Sequence, residues 1–409
     1  MTHAIKALLA LPLTALALAS CAPATAPMTT AGGQPVVELP HDMNVLFWTQ
    51  DQRDLAFRMF DTVSPAHTIH AGAHPLALGD GAPINPEWQA DGRGWTIDSY
   101  MADQRNAGLI VIQDGRIRLE RYGLGFSSRG RWTSFSVAKS FTSTLVGAAI
   151  QDGHISSIND PVTRYIPELA GSGYDGVTIA QLLSMQSGVR WNEDYTDPNS
   201  DVARFNLQMP EGTLDPVTAY MRRLPREHAP GTHWNYNTGE TNLIGVLVER
   251  ATGKTLADNL NEKVWQPFGM EADAAWVLNS GGKEISGCCL SISLRDYGRF
   301  GMFVLGGGQA GGRQIVPTGW FEQAGRKQAE IGRPGAGYGY QWWTYDDGSF
   351  AAQGIFGQGI FIDPARKLVI ASVGNWPTAT DPVMSRRRFA FYQAVRAAVD
   401  APQPSVLAR

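Results

Sequence analysis

The sequence predicts an α+β (α/β) fold: an antiparallel sheet built from both chain ends and flanked by helices, with a mainly helical subdomain inserted at about residues 155–300. Three observations lead there. A hairpin pattern comes early, in "GLIVIQDGRIRLERYG". Further strand-like runs cluster only after about residue 336, and the amphipathic "SRRRFAFYQAVRAAV" follows them as a closing helix. Between the two strand regions the apolar spacing is mostly helical. With 409 residues, the chain can bury a sizeable core, and length alone would allow two or three domains.

Taken in order, the chain opens with "MTHAIKALLALPLTALALASC". Lys6 precedes an apolar stretch over residues 7–19. That stretch is shorter than the roughly 20 residues needed to span a bilayer. Residues 1–20 therefore read as a secretory signal. The four residues "LASC" resemble the bacterial lipoprotein cleavage box, which would make Cys21 the lipidated first residue of the mature chain. The expected location is the periplasmic side of a bacterial cell envelope, anchored to the membrane through Cys21. A plain signal peptide followed by an unrelated cysteine is the alternative. Residues 21–42, rich in Ala, Pro, Thr and Gly, read as a flexible tether to a folded domain over 43–409. A formal net charge of −4 leaves no basic footprint, so no nucleic-acid partner is expected. Three cysteines are too few for a disulfide framework. Cys288 and Cys289 are adjacent, a placement that rarely permits a bond without strain, and read as small buried apolar residues.

Leu46, Phe47, Leu55, Phe57 and Phe60 in "NVLFWTQDQRDLAFRMFDTV" predict an opening helix. His67, His70 and His74 follow, but no nearby cysteine or acidic pair completes a metal set, and no metal is expected. The hairpin turns at Asp114-Gly115, with Leu109 and Val111 alternating against polar partners. The segment "RWTSFSVAKSFTSTLVGAAIQDGHI" predicts a helix ending near Gly153. Helices are expected in "VTIAQLLSMQSGV", with Thr178 in its N-cap region, and in "NTGETNLIGVLVERATG", stopped by Gly253. A third lies in "LRDYGRFGMFVL". Strands are expected in "YGYQWWTYD", "SFAAQGIFG", "GIFIDPA" and "KLVIASVGN", with turns at Asp347-Gly348 and Asp363-Pro364. No cofactor is called for. "GGGQAG" lacks the strand–turn–helix setting of a dinucleotide loop, and "ATGKT" lacks the first glycine of a phosphate loop. There is no G-x-S-x-G elbow.

The chemistry is concentrated in "SFSVAKSF". Ser136 and Lys139 stand at i and i+3, on one helix face. The lysine is either a solvated charge or a buried base beside a hydroxyl. Phe141, Leu145, Val146 and Ala149 continue the segment as an apolar run, which favours burial. Serine needs a neighbouring base to act as a nucleophile, and lysine serves only when its pKa is lowered by desolvation or by its neighbours. S-x-x-K alone recurs by chance.

The motifs that follow raise its weight. In order and spacing, "SFSVAKSF", "DGHISSINDPVTRYIPEL", "VTIAQLLSMQSG", "PGTHWNYNTGETNLIGVLVERATG" and "LSISLRDYGRFG" resemble the serine β-lactamase and penicillin-binding superfamily over about residues 95 to 400. Within it the similarity is to class C-like esterases and the 6-aminohexanoate-dimer hydrolase group. The resemblance implies a β-lactamase/transpeptidase-like fold and an acyl-enzyme on Ser136, with Lys139 and Tyr236 moving protons. Which of these two is the acylation base is left open. The second motif is Tyr236-Asn237-Thr238, where Thr238 keeps a hydroxyl in place of the usual amide or serine. The third, Lys-Thr-Gly in the lactamases, is replaced by Ala352-Gln353-Gly354. The resemblance further implies an oxyanion hole from the backbone N–H groups of Ser136 and Ile355. It implies a cleft lined by Tyr195, Thr238, Gly354 and either Trp342 or Trp343. The expected activity is cleavage of small-molecule esters or amides by a secreted enzyme. A D,D-peptidase or β-lactamase is the alternative within the superfamily, and a catalytically inactive envelope ligand-binding protein the alternative outside it. Loss of the third-motif lysine is expected to weaken carboxylate recognition unless an arginine from the helical insertion replaces it.

Overall fold

The computed structural model describes residues 37–40 and 45–402. Cys21, the expected signal segment and most of the expected tether lie outside the described residues. Every element of the described residues lies within Leu39–Arg409. A nine-stranded sheet forms its centre. In chain order the strands are β1 Gly79–Asp80, β2 Asn106–Gln113, β3 Arg116–Tyr122, β4 Ala329–Glu330, β5 Ala336–Tyr338, β6 Trp343–Tyr345, β7 Phe350–Gln353, β8 Gly359–Asp363 and β9 Leu368–Gly374. Across the sheet they run β4–β5–β6–β7–β8–β9–β2–β3–β1. All neighbours are antiparallel except β1, which lies parallel to β3. The two ends of the sequence meet where β9 pairs with β2, Ile370 opposite Val111.

Helices cover both faces. On one, α1 (Ile97–Asp103) and α5 (Pro382–Asp400) pack Tyr100, Phe391 and Val395 against Leu109, Val111 and Ile370. On the other, α2 (Ala138–Gln151), α3 (Thr238–Thr252) and α4 (Leu294–Leu305) join the main core with Ile110, Ile112, Ile360 and Val369. This corrects the expected alternation in β2. Ile110 and Ile112 are as buried as Leu109 and Val111, because a strand covered on both faces has no polar side. The turn after β2 stands where expected, with Asp114 and Gly115 both at positive φ (49° and 74°), as a two-residue hairpin of this type needs.

The expected opening helix is broken into three pieces, Val45–Phe47, Gln50–Ala56 and Phe60–Val63. Thr49 caps the second piece through a reciprocal capping box with Gln52, so a helix begins there rather than passing through. Residues 155–300 hold short helices such as Ile179–Leu183, capped by Thr178, besides α3, whose end is closed by Gly253 at φ 70°. The same segment also supplies strands Ala274–Val277 and Leu290–Ile292 to a second, four-stranded sheet, completed by Ala66–Ile69 and Trp132–Thr133. Cys288 and Cys289 just before one of these strands are bonded to each other, correcting the reading of two separate apolar thiols. Adjacency proved no bar, in a turn where Cys289 takes a left-handed backbone (φ 71°). His67 and His70 are paired with Glu284 and Asp273 respectively. No helix among the described residues is long and apolar enough to cross a membrane.

Candidate active site

The small sheet sets up Ser136. Trp132–Thr133 pairs with Leu290–Ile292, and Ser134 continues that pairing with both its backbone N–H and its hydroxyl on Leu290. Phe135 then turns left-handed (φ 42°), an uncommon conformation for a bulky residue. A 3₁₀ turn, Phe135–Val137, leads into α2. The helix therefore starts just after Ser136, which rides on the turn before it.

Lys139 lies in the first turn of α2 and is 1% exposed, which settles it as the buried form. Its Nζ donates to Ser136 Oγ at 3.1 Å and to the Gly287 carbonyl at 2.8 Å. Thr142 holds the same loop through the Ser286 carbonyl at 2.8 Å. Burial lowers the Lys139 ammonium from its ordinary 10.5 to about 8, with the Glu193 carboxylate opposing part of that shift. Tyr236 stands just ahead of α3, whose N-cap Asn237 accepts from the Glu240 N–H at 3.0 Å. Its ring stacks on Trp343 with centroids 5.6 Å apart, and Lys139 Nζ lies 5.4 Å from its centre. Tyr236 lines the same cavity as Ser136. Burial and then the Glu193 charge push its pKa up, so the hydroxyl keeps its proton.

β7 brings the last part. After Gln353 the chain passes through Gly354 into a short 3₁₀ turn that begins at Ile355. A Cβ on Gly354 would lie 2.7 Å from the Ser134 carbonyl and 3.1 Å from the Ser136 nitrogen, so only glycine allows this approach. The N–H groups of Ser136 and Ile355 both sit in the first residues of 3₁₀ turns, where a turn has no acceptor of its own for them. Gln358 fixes the loop to β9 by a hydrogen-bond pair with Gly374, at 2.9 and 2.8 Å. Together these parts border a cavity of ≈ 420 Å³ lined by Ser136, Tyr195, Tyr236, Trp343, Gly354 and Ile355, among others. A nucleophile, a phenol and two candidate oxyanion donors on one cavity, with a buried amine bonded to the nucleophile, make an acyl-transfer arrangement.

Comparison with known proteins shows the family. The beta-lactamase family profile matches residues 96–394. The chain belongs to the beta-lactamase family. It is 32% identical over 284 residues to the 6-aminohexanoate-dimer hydrolase of Paenarthrobacter ureafaciens, covering 66% of this chain and 72% of that one. It is 29% identical over 191 residues to esterase EstB of Burkholderia gladioli, covering 42% and 48%. A Bacillus anthracis structure described as a 6-aminohexanoate-dimer hydrolase superposes with a TM-score of 0.76 at 22% identity, covering 88% of this chain and 99% of that one. The fold is that of the beta-lactamase and penicillin-binding structures, and the chain is an enzyme, a serine hydrolase of the beta-lactamase type.

Within this beta-lactamase-family cleft, two sequence expectations need correction. Trp342 is fully buried, stacked on Phe300 and edge-on to Phe350, while Trp343 faces the cavity. Trp342 lies in the bend just before β6, whose first residue is Trp343, and only Trp343 reaches the cleft. Thr238 does not line the cavity, since its hydroxyl and its N–H both donate to Glu193. Glu193 itself was missed. It also accepts from Tyr195 at 2.7 Å and from the Trp191 ring N–H, tying the Tyr195 loop to the start of α3. Its position in "WNEDYTDP", two residues before Tyr195, was the available signal.

Proposed function

We propose that this enzyme cleaves carboxylic esters or small amides through an acyl-enzyme on Ser136. The observation that carries the reading is the buried Lys139 amine, lowered to about 8 and 3.1 Å from the Ser136 hydroxyl. Ser136 Oγ attacks the substrate carbonyl as its proton passes to neutral Lys139. The oxyanion that forms accepts from the N–H groups of Ser136 and Ile355, each such donor being worth about 2.7–4 kcal/mol. Tyr236, protonated in the resting site, hands its proton to the departing alkoxide or amine and is reprotonated from the Lys139 ammonium. Water then attacks the acyl-enzyme by the reverse proton path, releasing the acid and Ser136. Support for amide and ester substrates comes from the relatives, one named for an amide dimer and one as an esterase.

The reading extends to an envelope location, with Cys21 lipidated and residues 21–42 as tether. Lys6, the apolar stretch and "LASC" support it. So does the Cys288–Cys289 bond, since disulfides persist in oxidising compartments. The test of substrate class is kcat/KM for p-nitrophenyl butyrate beside that for nitrocefin on one preparation. Ala352 in place of the lactamase lysine predicts that the ester is favoured. A nitrocefin value equal to or above the ester value would overturn the esterase reading and favour a β-lactamase.

A further inference from the structure

We propose that the opening segment supplies the positioning residues of the oxyanion hole: Phe57, backed by Arg53, holds the two turns that present the Ser136 and Ile355 N–H groups. This rests on the hydrolase reading above and adds to it a part of the chain that precedes every motif of the site. The two turns share an unusual feature. Phe135, just before Ser136, and Phe356, just after Ile355, both take left-handed backbone conformations, at φ 42° and 59°. A bulky residue holds such a conformation only where its surroundings over-determine it. One ring packs against both. Phe57 ends helix Gln50–Ala56 and is fully buried. Its ring centroid lies 4.9 Å from that of Phe135, at 74°, and 5.4 Å from that of Phe356, at 50°. Phe135 and Phe356 in turn lie 5.3 Å apart. The three rings close a triangle at separations and tilts that aromatic side chains prefer.

The backbone around the triangle is tied to the same segment. The Phe57 carbonyl accepts from the Thr133 N–H at 3.0 Å, on the strand that leads to Ser136. Phe356 donates its N–H to the Ala379 carbonyl at 2.9 Å, and its own carbonyl accepts from the Trp376 N–H at 3.1 Å. Arg53, itself buried, reaches the stretch around Trp376. It donates to Asn375 Oδ1 at 3.0 Å and to the Pro377 carbonyl at 2.9 Å. Another of its N–H groups holds the Trp48 carbonyl at 2.7 Å, within the opening segment. Its guanidinium carbon lies 4.6 Å from the centre of the Phe356 ring. Neither Phe57 nor Arg53 is among the residues that line the cavity, so both act through Phe135 and Phe356, whose conformations hold the turns carrying the two N–H groups. An oxyanion donor works only at hydrogen-bond distance from the place the oxyanion takes, and a misplacement of about 1 Å can cost about 10²-fold in rate. The opening segment thus aims the hole as well as covering the core.

The test is kcat and KM for p-nitrophenyl butyrate beside Ki for 1,1,1-trifluorohexan-2-one, a ketone whose adduct on Ser136 puts an oxyanion where that of the ester would form. Phe57→Leu should lower kcat about tenfold or more and leave KM within about threefold. It should raise Ki by the factor by which kcat/KM falls, as a contact made only in the transition state requires. Arg53→Met should follow the same line, with Arg53→Lys between it and the wild type. Phe391→Leu is the control for lost packing alone. Phe391 is as buried as Phe57 but lies in the core on the other face of the sheet, so its loss should lower the melting temperature and leave kcat and Ki unchanged. Should Phe57→Leu not fold, Phe57→Met, whose flexible side chain refills the gap, is read in the same way. Wild-type kcat in the Phe57 and Arg53 variants, or a fall in kcat with Ki unchanged, would reduce both residues to packing and overturn the proposal. A wild type that neither hydrolyses the ester nor binds the ketone would instead overturn the hydrolase reading, and the positioning role with it.

Discussion

The pH dependence of Lys139 is the sharpest consequence of its burial. With the amine lowered to about 8, neutral lysine makes up about 9% of the enzyme at pH 7 and about 91% at pH 9. If neutral Lys139 accepts the Ser136 proton, kcat/KM for p-nitrophenyl acetate should rise about tenfold between those two values and level off above them. Lys139→Arg keeps the charge and the reach but cannot lose a proton, and should fall about 10²–10⁴-fold at every pH. The same burial acts on stability. The folded value, about 8, lies below the ordinary 10.5, so between them the unfolded chain binds more protons and stability rises with pH. Below 8 both states are charged and the full penalty, about 3 kcal/mol, is present. From pH 7 to pH 9 it shrinks by about 1.3 kcal/mol. Urea unfolding of wild type and Lys139→Met at both values isolates this, because methionine carries no such dependence. A flat kcat/KM from pH 7 to 9, or Lys139→Arg within tenfold of wild type, would refute the reasoning.

Gly354→Ala should abolish ester hydrolysis with the fold retained, because its Cβ would press on the Ser134 carbonyl and the Ser136 nitrogen; steady-state rates beside a melting curve check this. Tyr236→Phe should slow substrates with basic leaving groups more than activated aryl esters, since proton delivery matters most to a poor leaving group. Ethyl butyrate against p-nitrophenyl butyrate measures the difference, and equal losses would mean that the hydroxyl acts otherwise. Cys21→Ser should release the protein from the membrane fraction or stall its processing, and a wild type recovered wholly as soluble protein would contradict lipidation.

Elements fixed by local rules were legible in the sequence. The period of "LRDYGRFGMFVL" marked α4 to the residue, and Asp114-Gly115 announced the first hairpin. Ser136, Lys139 and Tyr236 were legible too, as motifs that the fold then brings together: Ser136 and Tyr236 line one cavity, and the buried Lys139 donates to Ser136. What escaped depends on contacts between distant parts of the chain. That β2 is covered on both faces follows from where α1 and α5 pack, not from its own pattern. Trp342 and Trp343 are interchangeable on paper, and only the bend that leads into β6 at Trp343 separates them. Arg388 stands among three arginines in "SRRRF", and nothing local says which is buried against the cleft. The Cys288–Cys289 bond was argued away on a general rule about neighbouring cysteines.

The central claim, that Ser136 is the nucleophile activated by Lys139, is tested most directly by reaction with a fluorophosphonate followed by peptide mapping in a mass spectrometer. The account predicts a single phosphonyl adduct on the peptide containing Ser136, formed faster as pH rises through about 8, and none in Ser136→Ala. An adduct on another residue, or Ser136→Ala still labelled and still hydrolysing p-nitrophenyl acetate, would contradict it.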